Sequence, residues 1–342
     1  MNRYLQMPVE RRRLICQQAQ AQMNLPETSL EKDFWACWTL QELFGLPEWG
    51  ARLTFKGGTS LSKCWGLINR FSEDIDIVID KHLLGFGGEK SPEKAPSKKQ
   101  RRKRLDAMRE AAQTEIHGNL MPALKARIEA SLPGTDTWEL LLAPEEEDRD
   151  RQTLLFRYPT ALPAAHDYVR RLVKIELGAR SDNEPLADAE VRSYLHEAFP
   201  GLLGPGTFAV RAIAPERTFW EKAMLLHEET YRPSDKKKRD PRLARHYYDL
   251  WCLITRGVAA RALDRTDIFT RAAEHREIYF GWSWMDYSTL SRGSFRLLPL
   301  PDQEPEWRRD YLAMRDEMFF GKVPSFDEIL RVVGSFQREF NE

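Results

Sequence analysis

Residues 53–80 constrain the fold more than any other part of the chain. Residues 53–55 read as a short strand, two glycines follow, and residues 59–69 have the pattern of a helix. After a tight turn, residues 74–80 begin with aspartate and isoleucine in alternation and continue with aliphatic residues, which is typical of a strand with one buried face. The order strand, glycine pair, helix, turn, strand predicts one compact α/β unit.

The second strand of this unit carries two carboxylates on one face. Side chains alternate along a strand, so Asp74 and Asp76 project to the same side. Ile75, Ile77 and Ile79 form the opposite, apolar face, which would hold the strand against the core. Hard carboxylate oxygens this close together suit Mg²⁺ (or Mn²⁺). Aspartate pairs of this kind are also common on the solvent face of edge strands, so the pair alone is a weak signal.

The turn before the helix predicts a phosphate site. Gly57, Gly58, Thr59 and Ser60 stand where the helix begins, and unpaired backbone N–H groups and the helix dipole attract anions there. Glycines also let a phosphate approach the backbone closely. A phosphate cradle and metal ligands at one edge together indicate a site for a nucleoside triphosphate (NTP).

Strand and helix patterns are unevenly distributed along the chain. Strand-like runs occur before residue 214 and helical patterns dominate after it, which predicts an α+β fold with domains at 1–214 and 215–342. Residues 87–104, charged and proline-containing, are expected to be a mobile surface insertion without regular structure. The predicted helices lie at 9–23, 30–44, 59–69, 104–131, 215–231, 242–256, 266–275, 304–319 and 325–340. The further strands lie at 137–142, 153–158, 168–177 and 208–213.

The run FKGGTSLSKCWGLINRFSEDIDIVID resembles the signature of the DNA polymerase β-like nucleotidyltransferases. More narrowly, it is similar to that of the AbiEii/AbiGii-type toxin family of bacterial abortive-infection and toxin–antitoxin systems. The resemblance covers residues 50–255. It implies a polymerase β-like nucleotidyltransferase domain with a small mixed sheet, followed by an α-helical domain. The implied reaction is transfer of a nucleoside monophosphate from an NTP to an acceptor such as tRNA, with release of pyrophosphate.

The resemblance also implies two sets of site residues. The nucleotide-binding residues are Gly57, Gly58, Thr59, Ser60, Lys63, Ser72 and Arg245. The catalytic residues are Asp74, Asp76, Glu176, Lys222 and Asp249, and the first three of these bind the metal ion.

Glu176 is the candidate third carboxylate. In residues 171–177, three aliphatic side chains at alternate positions would face the core, which places Lys174 and Glu176 together on the other face. Glu176 is therefore expected to be an accessory metal ligand or a base. The alternative is a surface Lys–Glu pair.

Two helical segments match the remaining motifs of the family. Lys222 is expected to reach the nucleotide phosphates, although a single lysine on a helix is more often solvated. Arg242, Arg245 and Asp249 fall at i, i+3 and i+7, on one helical face. Asp249 could fix Lys222 or Arg245, or help deprotonate a nucleophile. Such Arg–Asp pairs also often serve only to join helices.

Charge is balanced over the whole chain but clustered locally. The formal net charge is zero, with 52 basic and 52 acidic residues, which argues against general affinity for nucleic acid. Basic residues nevertheless concentrate in 87–104 and 236–239, which makes an RNA backbone a candidate partner. A cognate antitoxin is the other partner that the resemblance implies.

Cysteine usage and hydropathy suggest a reducing compartment. The four cysteines form no CxxC pair, so no zinc site is expected. The N-terminal residues lack the apolar core of a signal peptide, and no run of 18 apolar residues occurs. The protein is therefore expected in the cytoplasm, without membrane association.

Two alternatives to transfer onto RNA stay open. A nucleotidyltransferase acting on a protein or a small molecule would share the site but would not need the basic segments. A non-catalytic member that binds nucleotide or RNA would be expected to carry a degraded site. The aromatic run 279–287 could stack on bases, but core packing is favoured for it.

Overall fold

The structure, a computed structural model, describes residues 1–72, 74–132, 137–163, 170–180, 182, 184–233 and 239–342. They form two units. The first comprises 1–64, 72–183 and 187–212, and the second comprises 65–71, 184–186 and 213–342. The start of the predicted strand at 168–177 and the lysines of the second basic run, Lys236, Lys237 and Lys238, lie outside the described residues. The domain boundary at residue 214 stays a prediction.

The strands form a mixed sheet in the first unit. They are β1 (Leu53–Lys56), β2 (Ile75–Ile79), β3 (Glu139–Leu142), β4 (Thr153–Arg157), β5 (Val173–Gly178), β6 (Leu186–Val191) and β7 (Phe208–Ile213). Their order across the described sheet is β3-β4-β5-β2-β1-β7-β6. Strand β2 pairs antiparallel with β1 and parallel with β5. The α+β class with a mixed sheet is thereby confirmed, and β6 is a strand that the sequence pattern did not predict.

The helices surround and follow these strands. Those of the first unit are α1 (Asn2–Leu5), α2 (Val9–Met23), α3 (Glu27–Phe44), α4 (Gly57–Lys63), α5 (Lys98–Glu115), α6 (Met121–Ser131), α7 (Tyr194–Ala198) and α8 (Pro200–Leu203). Those of the second unit are α9 (Pro215–Thr230), α10 (Arg245–Thr255), α11 (Val258–Leu263), α12 (Thr266–Tyr279), α13 (Glu304–Met318) and α14 (Phe326–Asn341). One π-helical turn, Ile116–Leu120, joins α5 to α6.

The core of the first unit lies between the sheet and α3. Val173, Ile175 and Leu177 of β5 are buried, while the residues between them are partly exposed, which is the predicted alternation. Trp35 and Trp38 of α3 are fully buried, and their rings lie 6.0 and 5.7 Å from that of Phe156 on β4. Aromatic pairs at this spacing add to the stability gained from burial alone.

The core of the second unit is an aromatic cluster centred on α9. Its rings are those of Trp220, Phe269, Phe295, Phe336 and Phe340. The cluster brings α9, α12 and α14 together, which is why the apolar stripe of α14 faces inward.

The expected burial of residues 279–287 is only partly correct. Tyr279 and Met285 are buried, but Phe280 and Trp282 are 43% and 46% exposed. The exposed positions lie beyond the C-terminal end of α12, where the helical pattern that would bury them has stopped. No helix among the described residues is long and apolar enough to cross a membrane.

Two predicted elements have different bounds. Helix α4 ends at Lys63 instead of residue 69, because Gly66 has a φ of +60°, which a right-handed helix cannot accommodate. The insertion at 87–104 is not irregular throughout, because α5 begins at Lys98. Ser97 caps that helix by accepting a hydrogen bond from the backbone N–H of Gln100 at 3.2 Å.

Candidate active site

Three acidic side chains come together on the sheet of the first unit. Asp76 of β2 is in register with Glu176 of β5 on one side and with Lys56 of β1 on the other. Residues in register on neighbouring strands point to the same face, so these three side chains are neighbours. Asp74 lies two residues before Asp76, directly ahead of β2. The structure thus brings together the three residues that were expected to bind metal.

Negative charge is in excess at this face. Burial, the carboxylate of Glu176 and that of Asp74 raise the pKa of Asp76 to about 7, while Lys56 acts in the opposite direction. Lys174 forms an ion pair with Glu176, which is the pair considered as the alternative to a metal ligand. Burial opposes the charge of Lys174, but Glu176 and the two aspartates raise its pKa overall. A bound cation would relieve the repulsion among the carboxylates.

Gly57 gives the carboxylate of Asp76 its space. Its φ is +81°, and a Cβ at this position would lie 1.9 Å from Oδ2 of Asp76. No side chain fits there without displacing the carboxylate, and the backbone conformation itself favours glycine. The first glycine of the pair therefore sets the distance between the start of α4 and β2.

The hydroxyls of Thr59 and Ser60, in the Gly-Gly-Thr-Ser turn, form hydrogen bonds within the protein. Thr59 Oγ1 donates to the backbone oxygen of Asp74 at 2.5 Å and lies 2.9 Å from Oγ of Ser72. Ser60 Oγ donates to the backbone oxygen of Gly57 at 3.1 Å. Both side chains are buried. These contacts fix the segment that leads into β2, whereas the nucleotide-binding roles expected for Gly58, Thr59, Ser60 and Ser72 stay predictions.

Lys63 is enclosed at the C-terminal end of α4. Its Nζ lies 2.6 Å from Oδ1 of Asp33 and 3.4 Å from the ring centroid of Tyr194, and its side chain is only 3% exposed. Burial disfavours the ammonium, but the carboxylate of Asp33 raises the pKa of Lys63 above its ordinary value. The observed contacts anchor α4 to α3, and the predicted role of Lys63 at the triphosphate stays untested.

The carboxylate face suits a magnesium ion by its donor chemistry. No group of three or more His, Cys, Asp and Glu side chains in the described part of the chain is arranged as a metal site. Mg²⁺ is usually held by one or two carboxylates, with waters and substrate phosphates completing its shell. Asp76 and Glu176, with Asp74 beside them, offer the hard oxygens that such an ion requires.

The second unit contains a separate buried cluster of charged side chains. Arg70 binds Asp249 through two parallel hydrogen bonds, Nε to Oδ1 at 2.7 Å and Nη2 to Oδ2 at 2.9 Å. Lys222 of α9 lies 2.8 Å from the same Oδ2, and its Nζ is 3.3 Å from Nδ1 of His246. All four side chains are buried. Asp249 of α10 thereby fixes Lys222, one of the roles considered for it.

This cluster carries more positive than negative charge. Although burial opposes its ionisation, Arg70 and Lys222 hold the pKa of Asp249 well below its ordinary value. Burial and the charges of Lys222 and Arg245 push the pKa of His246 well down, so the imidazole is neutral. Burial also lowers the pKa of Lys222, against the effect of Asp249. Two buried cations therefore share one carboxylate.

The sequence interpretation missed Arg70 and misplaced Arg242. Arg70 stands in the quoted Arg-Phe-Ser run, but no spacing rule connects it with Asp249, 179 residues away. Arg242 has a φ of +68° and precedes α10, so it does not share a helical face with Arg245 and Asp249. Its backbone N–H donates to Asp310, and this contact holds the turn that leads into α10.

Comparison with known proteins identifies the family. No curated protein matches the chain. Among solved structures, MenT4, a nucleotidyltransferase toxin of Mycobacterium tuberculosis H37Rv, is similar at 14% identity and a TM-score of 0.38, over 95% of this chain and 98% of that one. A TM-score this low does not establish a common fold. The sequence profile described as nucleotidyl transferase AbiEii toxin, type IV TA system, matches residues 38–332. The chain therefore belongs to the AbiEii family of nucleotidyltransferase toxins of type IV toxin–antitoxin systems.

Proposed function

We propose that this nucleotidyltransferase transfers a nucleoside monophosphate from an NTP to an RNA acceptor, with tRNA as the candidate, in a Mg²⁺-dependent reaction. The observation that carries the proposal is the register of β2 and β5, which aligns Asp76 with Glu176, with Asp74 two residues away. In this reaction a hydroxyl of the acceptor attacks the α-phosphorus, and the bond to the leaving pyrophosphate breaks.

The carboxylates of the first unit are assigned to the metal ion. Asp74, Asp76 and Glu176 would hold Mg²⁺ (or Mn²⁺), which supplies charge neutralisation for the triphosphate when bound. Glu176 is also proposed to accept a proton from the acceptor hydroxyl. Gly57 keeps the space around Asp76 open, and the backbone of Gly57 and Gly58 is the proposed contact with phosphate.

The buried charged cluster of the second unit, formed by Arg70, Lys222, His246 and Asp249, is proposed to bind phosphate. Lys222 is paired with Asp249, which Arg70 also binds, so the charge of its ammonium is not fully neutralised within the cluster. A phosphate group would restore the balance, because a buried cation is stable only when it is paired. Arg245 at the start of α10 is proposed as a second phosphate contact, and Asp249 as the residue that positions Lys222.

RNA is favoured over a protein or small-molecule acceptor by the exposed basic residues of the first unit. They include Lys98 and Lys99, at the start of α5. Polyanions bind such surfaces by releasing counterions. Membership of a type IV toxin–antitoxin family also implies an antitoxin partner. We place the action of the protein in the cytoplasm, where both partners would be met.

The first experiment is a labelling assay. Wild type is incubated with each α-³²P-labelled NTP, Mg²⁺ and total RNA, beside an Asp74→Asn/Asp76→Asn variant. We expect label in an RNA band with wild type alone, and loss of labelling when EDTA is added. The size of the band reports whether the acceptor is tRNA.

The other outcomes discriminate between the alternatives. If label enters protein or a small molecule but no RNA, that molecule and not RNA is the acceptor. Absence of transfer to any acceptor, with NTP binding retained in the presence and absence of RNA, would refute the proposed reaction and leave a nucleotide-binding role. Equal labelling by the double variant would show that Asp74 and Asp76 do not act in transfer.

A further inference from the structure

The first two turns of α5 present a face made of cations. Lys98, Lys99, Arg102 and Lys103 are exposed. Among the described residues, no carboxylate is paired with any of the four. Positions i, i+3 and i+4 are neighbours on a helix, so these side chains lie next to one another instead of spreading around it. We call this set the α5 basic face.

The α5 basic face is unfavourable for the helix that carries it. Cations near a helix N-terminus oppose the helix dipole, and the first turn of α5 has no acidic residue. The pairs Lys98/Arg102 and Lys99/Lys103, at i and i+4, repel each other as well. The helix is held instead by the Ser97 cap and by its packing. A concentration of charge that weakens its own helix is explained by an anionic partner that neutralises it.

The rest of α5 anchors the face without covering it. Arg104 turns inward and donates to the backbone oxygens of Glu89 and Ser91 at 2.8 and 2.7 Å. Met108 and Ala112 of α5 are fully buried on the opposite side, and so is Ile116 in the π-helical turn that follows. The apolar stripe of the helix is therefore used within the first unit, and the basic side is left to solvent.

The composition of the face favours a phosphate backbone over other anionic partners. Protein interfaces are depleted in lysine and enriched in aromatic residues, and no exposed aromatic or aliphatic side chain larger than alanine lies in the described residues 97–104. A helix that lies on a membrane inserts apolar side chains from its exposed face. This helix has its apolar residues buried, so an acidic protein and a lipid surface both fit less well than RNA.

We infer that the α5 basic face binds the phosphate backbone of the acceptor RNA, an inference that rests on the proposed RNA acceptor. It binds by charge, without reading bases, because lysine and arginine side chains at this density neutralise consecutive phosphates. The face supplies affinity and orientation, while the acceptor group is selected elsewhere.

The test is the salt dependence of RNA binding, measured without NTP so that it is independent of transfer. Fluorescence anisotropy of labelled bulk tRNA is followed with wild type and with a variant in which all four residues of the face are changed to Gln. For four phosphate contacts, the slope of log K against log salt should become shallower by about 3, with at least ~10-fold weaker binding at low salt. Poly(U) reports whether a single strand suffices.

A matched control removes the same charge elsewhere in the first unit. Four exposed basic residues outside the face are changed to Gln together: Arg11, Arg13, Lys125 and Arg149. We expect this variant to keep the wild-type slope to within one unit. The variant of the basic face should melt at or above the wild-type temperature, since it removes repulsion from α5, so weaker binding cannot be attributed to unfolding.

Each other outcome is decisive. An unchanged slope in the variant of the basic face overturns the inference and leaves the proposed function standing if wild type still labels RNA. An equal decrease of the slope in both variants also overturns the inference, because RNA binding would then depend only on the net charge of the protein. Binding to phosphatidylserine vesicles that depends on the face, with no binding of tRNA or poly(U), would make lipid the ligand. Absence of both RNA binding and RNA labelling with wild type would refute the function and the inference together.

Discussion

At the scale of single residues, the site depends on an atom that is absent. Gly57 has no Cβ, and the carboxylate of Asp76 occupies the place where one would be. Gly85 has the same φ of +81°, but a Cβ added there would meet no atom within 4 Å. A comparison of the two glycines therefore separates strain of the backbone from the steric clash.

We predict that Gly57→Ala costs more stability than Gly85→Ala. The second change meets only backbone strain, about 1 kcal/mol. The first must also displace the Asp76 carboxylate, which should add roughly 1–3 kcal/mol and abolish transfer. Urea unfolding of both variants and the labelling assay measure the two effects. Equal stability of the variants, with activity kept in Gly57→Ala, would show that the close approach does not matter.

The bond between Arg70 and Asp249 is predicted to be a main determinant of stability in the second unit. Arg70→Gln leaves a buried carboxylate with Lys222 as its remaining cation, which should cost about 3–5 kcal/mol. Arg308 is a control, because its pairs with Glu304 and Asp327 lie at the surface and Arg308→Gln should cost at most about 1 kcal/mol. Urea midpoints give the comparison, and similar values for both variants would contradict the prediction.

His227 predicts a pH dependence of stability. Burial and the charge of Arg296 lower its pKa from 6.5 to about 4, although the backbone oxygen of Arg296, 3.3 Å from Nδ1, acts in the opposite direction. Between these two pKa values the unfolded chain binds more protons than the folded one. The free energy of unfolding therefore falls as the pH is lowered from 6.5 to 4, and the contribution of His227 is fully present above 6.5.

The matching variant is His227→Gln, which keeps polar contacts but does not titrate. Between pH 7.5 and pH 5, the stability lost by wild type should exceed that lost by the variant by about 2 kcal/mol. Urea unfolding at the two pH values measures the difference. Identical losses would mean that the imidazole is already free to protonate in the folded state.

At the scale of elements, α5 and α14 show opposite uses of helix charge. Both are capped by serine, Ser97 and Ser325 respectively. The first turn of α14 carries Asp327 and Glu328, which interact favourably with the helix dipole, while that of α5 has basic residues and no acidic one. The stability of the first turn of α5 therefore depends more heavily on its cap.

We predict that Ser97→Ala weakens α5 locally by about 1 kcal/mol or more. Amide hydrogen exchange of residues 98–104 should accelerate several-fold, whereas Ser325→Ala should change exchange at the start of α14 less. Mass spectrometry of exchanged peptides measures both. A larger effect at α14 would show that acidic residues in its first turn do not compensate for a lost cap.

At the scale of the whole molecule, the thiols report how firmly the chain is folded. Cys16, Cys37 and Cys252 are buried and Cys64 is partly buried. Burial raises the pKa of Cys16 and of Cys64 to about 12 and that of Cys252 to about 11. Thiolate, the reactive form, is therefore scarce at neutral pH.

We predict that N-ethylmaleimide at pH 7.5 leaves the native protein unmodified on a timescale of minutes and modifies four thiols in urea. Reaction of the native protein would need local or global opening, so its slow rate measures the free energy of that opening. Intact-mass spectrometry counts the adducts. Fast modification of Cys64 alone would show that the end of α4 opens independently.

Local patterning predicted the parts of this protein that depend on neighbouring residues. The alternation around Asp74 and Asp76, that around Glu176, and the α+β class all follow from periodicity, and the resemblance of residues 55–80 to a nucleotidyltransferase signature led to the family. These features are set by side chains a few positions apart. Over that range, backbone geometry alone determines to which face of a strand or helix each side chain points.

Tertiary structure decided which groups pair across long stretches of chain. Arg70 meets Asp249 and Lys63 meets Asp33 because folding places these side chains in water-poor surroundings, where each charge requires a partner. Glycine conformation ended α4 at Lys63, and a serine cap started α5 inside a segment whose composition indicated a loop. The sequence by itself determined the strand faces on which Asp76 and Glu176 lie. Which charges face one another was decided only by packing, since burial selects partners irrespective of their separation in sequence.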